Sequence, residues 1–203
     1  MGNFSKRTAI VTGGARGIGG GTARKLATGG AHVLIVDVEE SSAKKNVDTI
    51  RASGGQADFM IGDVSEEGVV KEMVTLALNQ TGRLDILVQN AYGGNAHASG
   101  SAVDISPDAW DRGLGLLARS LFLGAKYAVP AMEESGNVGG SSPDDWTGAG
   151  LRHGMAPNQN VGRIVNISSV HGMLQAPKAL IYESGKAAVI GLTRQMAVDF
   201  GPR

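Results

Sequence analysis

The chain has 203 residues, 42% of them hydrophobic, which suits a single globular domain with a sizeable core. Its 19 basic and 19 acidic residues balance, so no bulk positive field points to nucleic acid or to an anionic membrane. There is no cysteine, which excludes disulfides, thiolate catalysis and cysteine-ligated zinc, and suits a reducing cytoplasm.

The chain alternates short apolar runs with amphipathic stretches. Thr8–Thr12 reads as a buried strand, followed by a glycine turn and a helix through Ala23, Leu26 and Ala27 that Gly29-Gly30 closes. His32–Asp37 is a second strand, apolar on both faces as parallel strands are. The pattern then predicts a helix over Ser42–Ser53, a strand over Ala57–Ile61, and a helix capped by Ser65 and running to about Gln80. A fourth strand is expected at Leu84–Val88. Ser106-Pro107 opens a long helix to about Glu133, with a capping serine and proline at the first helical position. Arg163–Ile167 is a fifth strand, and a last helix covers about Leu180 to Phe200. Five alternations of strand and helix predict an α/β fold: a Rossmann-type, doubly wound parallel sheet in three layers, one domain over residues 1–203. The Gly-, Ser-, Pro- and Asn-rich segment Ser135–Val161 breaks the rhythm and reads as an irregular surface loop, either mobile or a lid or oligomer contact.

Thr12-Gly13-Gly14-Ala15-Arg16-Gly17-Ile18-Gly19 lies between the first strand and the first helix. Glycine lets the backbone turn tightly and approach a pyrophosphate, and amides at a helix start face the anion. A plain flexible loop is the bland alternative. Asp37 strengthens the dinucleotide reading: it ends the second strand, 18 residues after Gly19, near the offset of a ribose-binding acid. A carboxylate there accepts both ribose hydroxyls and repels a 2′-phosphate, which favours NAD over NADP. Arg16 is the contrary hint. Asp63-Val64 and Asn90-Ala91 end the third and fourth strands, on the edge where ligands bind in open α/β sheets.

Tyr182 and Lys186 are four residues apart at the start of the last helix and share a face. An ordinary tyrosine is a poor base at neutral pH, and a cation within about 4–6 Å favours its phenolate. Tyr182 is therefore a candidate general acid or base, although a Tyr/Lys helix pair by itself is common. Ser168-Ser169, at the end of the fifth strand, adds a hydroxyl for the same substrate oxygen.

With these residues assembled, the chain resembles the short-chain dehydrogenase/reductase family in its single-domain branch. The resemblance rests on the glycine turn, Asp63-Val64, Gln89-Asn90-Ala91, Arg163–Ser169 and Tyr182-Glu183-Ser184-Gly185-Lys186, ordered over nearly the whole chain. It implies Ser169 as the substrate-orienting serine, Tyr182 as proton donor or acceptor, and Lys186 as the residue that activates the tyrosine and holds the nicotinamide ribose. It implies a cofactor site at Gly13, Arg16, Gly17, Ile18, Gly19, Asp37, Asp63, Val64, Asn90 and Ala91, together with Tyr182 and Lys186. The implied activity is hydride transfer between NAD(H) and a secondary alcohol or ketone, in a cytoplasmic homotetramer or homodimer with no metal. An NADPH-dependent 3-oxoacyl-carrier-protein reductase and a low-turnover nucleotide-binding subunit or sensor are the alternatives.

Three departures stand out. Leu117 occupies the position where the family usually has a relay asparagine; Ser120, one turn on, is a substitute or a packing residue. Tyr92 stands where the family's Asn-Asn-Ala-Gly segment has glycine. The sequence ends at Arg203, whereas family members continue with a strand, a helical region and a final strand, so a longer protein is expected. The four histidines, His32, His97, His153 and His171, are too scattered for a metal site; His32 reads as a strand residue and His153 as a loop residue. His171, two residues beyond Ser169, is a candidate pocket-lining residue. Asn166 reads as a strand bridge, and Met155 and Met173 as core or loop packing.

Overall fold

The computed structural model describes residues 3–93, 99–137 and 162–201. The five apolar runs form five parallel strands, β1 (Thr8–Thr12), β2 (His32–Asp37), β3 (Gln56–Ile61), β4 (Ile86–Gln89) and β5 (Arg163–Asn166). Their order in the sheet is β3-β2-β1-β4-β5. The chain therefore winds outward from β1 in one direction, then restarts beside it in the other. Thr12 pairs with Val36 on one side and Gln89 on the other, so three strands end level at this switch point. The cleft outside those ends is where a doubly wound sheet binds its ligand.

Alternation of side chains along the strands feeds two cores. Ala9, Val11, Val33, Ile35 and Val88 point to one face, where α1 (Gly17–Thr28) and α2 (Glu40–Ala52) supply Ala23, Leu26, Ala27, Val47 and Ile50. Ile10, Leu34, Val36 and Leu87 point to the other, against α3 (Glu67–Thr81) and α5 (Ser120–Asn137). Each fully buried aliphatic side chain contributes about 1.5–3 kcal/mol relative to exposure. The helix α6 (Leu180–Phe200) packs beside α5 and against α4 (Pro107–Leu114). No helix among the described residues is long and apolar enough to cross a membrane.

Several expectations need correction. Ser65 does not cap α3: its amide donates to Asp63 Oδ1 at 2.9 Å in a tight turn, and the helix starts two residues later. The second helix starts at Glu40, because Glu39 accepts hydrogen bonds from the amides of Ser41 and Ser42 and acts as the cap. Ser106 and Pro107 do open α4, with Ser106 Oγ accepting from Ala109 N at 3.3 Å. The helix they begin is not uniform, however. A five-residue π turn at Gly115–Arg119 separates α4 from α5, which continues to Asn137. Ser135 thus belongs to a helix, not to a loop: its hydroxyl donates to Ala131 O and accepts from Leu84 N, tying α5 to the start of β4. The rest of the expected loop, 138–161, lies outside the described residues, as do His97, His153 and Met155. Met173 is not packed but 69% exposed.

Candidate active site

The glycine turn closes against the end of β4. Gly13 and Gly17 take φ of +63° and +57°, conformations that favour glycine. A Cβ on Gly13 would lie 2.8 Å from Ala91 Cα, and one on Gly19 would lie 2.2 Å from the Gly13 carbonyl oxygen. Asn90 clamps this approach: its Nδ2 donates to Gly13 O at 3.1 Å, while the Asn90 and Ala91 amides donate to Thr12 Oγ1. Gly13, Gly19, Asn90 and Ala91 are thereby brought together as expected. Gly17 faces open space, flanked by the exposed side chains of Arg16 and Ile18. Asp37 reaches the same turn, its Oδ2 accepting from Ala15 N at 2.9 Å and its Oδ1 from Glu39 N at 3.1 Å. Asp63 is exposed at the end of β3 with its carboxylate engaged by Ser65 N, and Val64 is buried in the core under α3.

Across the cleft, β5 leads into Ser168 and Ser169. Ser168 Oγ donates to the Lys186 carbonyl at 2.8 Å, fastening the strand end to α6. Ser169 caps the short 3-10 turn Val170–Gly172, its Oγ accepting from His171 N at 3.2 Å. That bond leaves the hydroxyl proton of Ser169 available to another acceptor. Lys186 is 5% exposed, and its Nζ donates to Ile167 O at 2.7 Å. Burial holds this amine below its ordinary pKa. The ammonium lies 5.8 Å from the Tyr182 ring centre and 5.7 Å from that of Tyr92. The two tyrosine rings sit 4.8 Å apart at 49°. Burial, then repulsion from Tyr182, pushes the Tyr92 phenol up from its usual range.

Leu117 is 2% exposed inside the π turn and packs on α6 at Gly185, where a Cβ would lie 2.6 Å from the leucine. The Ser120 hydroxyl is spent on the Leu116 carbonyl of its own helix, so Ser120 is a packing residue. Asn166 bridges, as expected, between Gln89 Nε2 and Thr193 Oγ1. Among the described residues no cluster of histidine and acidic side chains could hold a metal ion.

One site residue escaped the sequence reading, and two more were named without their contacts. Asn46 of α2 is 4% exposed; it donates to Gly14 O at 2.8 Å and accepts from Arg24 Nη1 at 2.7 Å, bracing the glycine turn from behind. The signal was there: Asn46 interrupts the apolar stripe Ala43, Val47, Ile50. Tyr92 stacks beside Tyr182, and its signal was the departure from glycine. Glu183 is buried next to Tyr182 and takes His171 as a partner at 3.0 Å; a carboxylate on a buried helix face was the missed sign.

The model of the short chain dehydrogenase family matches residues 7–140 and 146–203. An uncharacterized oxidoreductase of Thermotoga maritima is 33% identical over 98% of this chain and 67% of its own length. A cyclopentanol dehydrogenase of a Comamonas species is 33% identical over 100% of this chain and 70% of its own. The crystal structure of a short chain dehydrogenase/reductase from Burkholderia phymatum in complex with NAD superposes with a TM-score of 0.80 at 28% identity, covering 98% of this chain and 62% of that one. The chain thus spans about two thirds of the length of the relatives it matches. Family match and sheet order agree, and the chain belongs to the short-chain dehydrogenase family.

Proposed function

We propose that this chain carries the machinery of an NAD-linked oxidoreductase acting on secondary alcohols or ketones. The observation that carries the reading is the buried Lys186 ammonium beside Tyr182, both at the open end of the sheet across from the glycine turn. The residues present fit a dinucleotide. The Gly13–Gly19 turn has no Cβ where a pyrophosphate would approach Gly17, and its helix start supplies amides. Asp37, which accepts from Ala15 N–H at the turn, would accept the adenosine ribose hydroxyls with its remaining lone pairs. A 2′-phosphate there would meet a carboxylate and then Glu39, and Arg16 is the only nearby base within the turn itself. NAD is therefore favoured over NADP.

NAD, when bound, supplies the hydride acceptor. The chain's own residues handle the substrate oxygen. Ser169 donates its free hydroxyl proton to that oxygen and fixes its position. Tyr182 takes the alcohol proton during oxidation and returns it during reduction. The Lys186 ammonium beside the ring stabilises negative charge on the phenol oxygen. Relatives named for cyclopentanol and for a 3beta-hydroxysteroid guide the choice of test substrates. The test is NAD reduction by a panel of such secondary alcohols, with NADH and NADPH binding measured in parallel. Turnover of one panel member and tighter NADH binding are expected. No turnover anywhere in the panel overturns the oxidoreductase reading; equal or reversed affinities overturn the choice of NAD.

A further inference from the structure

Tyr182 has a second polar neighbour that the mechanism above does not use. The His171 ring lies 5.8 Å from the Tyr182 ring, tilted by 56°. Its Nδ1 is 3.0 Å from Glu183 Oε1, and that carboxylate oxygen also accepts from Ala176 N. The Glu183 side chain is 10% exposed and the His171 side chain 39%. A carboxylate only accepts, so Nδ1 carries the proton and Nε2 is the basic nitrogen. Neither Nε2 nor the Tyr182 hydroxyl has a hydrogen-bond partner among the described residues.

A phenol that takes a proton in every turnover must release it to water before the next. The groups around Tyr182 differ in their access to water. Lys186 is buried with its ammonium on the Ile167 carbonyl. Its two ring neighbours are Tyr92, an acid weakened by its surroundings, and His171, which bridges the buried Glu183 and solvent.

We propose that His171, oriented by Glu183, exchanges the Tyr182 proton with solvent. The inference rests on the oxidoreductase reading. In oxidation the alcohol O–H proton passes to the Tyr182 phenolate oxygen, while the adjacent C–H bond breaks and its electron pair leaves as hydride to bound NAD. Tyr182 then gives its proton to His171 Nε2, directly or through one water. The imidazolium, paired with the Glu183 carboxylate, releases that proton to bulk water. The sum is alcohol plus oxidised nicotinamide giving ketone, reduced nicotinamide and one proton. Reduction runs the same path backwards. Glu183 acts only through His171 and is a positioning residue.

The experiment compares His171→Ala, Glu183→Leu and Tyr182→Phe in the NAD-reduction assay, with free imidazole added as a diffusible proton carrier. His171→Ala should lose turnover by about a hundredfold, the scale of general acid–base catalysis, with NADH affinity unchanged. Imidazole should restore much of it, but should not restore Tyr182→Phe. Nitrogen NMR of the histidine ring gives a readout independent of turnover: the Nδ1-protonated tautomer in the wild type, and its loss in Glu183→Leu. A loss below about tenfold in His171→Ala, or one that imidazole leaves untouched, overturns the proposal, as does an Nε2-protonated ring in the wild type. Wild-type turnover that disappears in Tyr182→Phe while His171→Ala stays active separates failure of this inference from failure of the reading beneath it. No wild-type turnover at all ends both.

Discussion

Asn46→Ala removes the brace behind the glycine turn. The substitution takes away the donor to the buried Gly14 carbonyl at 2.8 Å, a weaker contact to Gly20 O at 3.4 Å, and the acceptor for Arg24 at 2.7 Å. A carbonyl left buried and unpaired costs about 1–3 kcal/mol, and the bond to the half-exposed guanidinium adds little. The folded-to-unfolded ratio should therefore fall by about tenfold to a hundredfold, since each 1.4 kcal/mol is about a factor of ten. Urea titration followed by fluorescence reads this as a lower midpoint at unchanged slope. Asn46→Asp separates the contributions: it keeps the acceptor for Arg24 but turns a carboxylate toward Gly14 O, and should be at least as destabilising. NADH affinity should drop in both, because the loosened turn is the one proposed to receive the pyrophosphate. Stability of Asn46→Ala within about 0.5 kcal/mol of wild type, the range of ordinary surface substitutions, would refute the reasoning.

Two further substitutions probe the cleft. Gly19→Ala should abolish NADH binding, because the added Cβ lies 2.2 Å from the Gly13 carbonyl oxygen and the turn must shift; calorimetry showing wild-type affinity would contradict this. Lys186→Met should raise stability at neutral pH while abolishing turnover. Burial depresses the amine's pKa in the folded chain, so below that value both states carry the proton and the folded state bears the full desolvation cost. As pH rises from the depressed value to the ordinary one near 10.5, the folded state releases its proton first and the wild type gains stability. The advantage of methionine should shrink across that window; an advantage that grows with pH would have the sign wrong.

The sheet was legible because parallel strands buried on both faces leave continuous apolar runs, as in Ile10-Val11 and Val33–Val36. The nearness of Asp37 to the glycine turn and of Lys186 to Tyr182 was legible because short offsets along a strand end or a helix face set both. What the sequence hid depends on contacts distant along the chain or on competition between neighbouring groups. The π turn exists where Leu117 meets Gly185, 68 residues away, and no local pattern announces it. Ser135 looked like loop chemistry because serine favours loops, yet its hydroxyl is satisfied by Ala131 and Leu84 inside a helix. Ser65 looked like a cap, but Asp63 competed for its amide and displaced the helix start. Glu183 was passed over because its partner His171 lies on a different element, 12 residues earlier.

The phenol of Tyr182 as the group that exchanges a proton with substrate is tested most directly by replacing it with phenylalanine, which keeps the ring in its place between Tyr92 and His171. Stopped-flow hydride transfer to NAD and NADH fluorescence titration would be run on the same preparations. Loss of hydride transfer with NADH affinity retained is the expected result. Hydride transfer at a rate close to wild type in Tyr182→Phe would contradict the account.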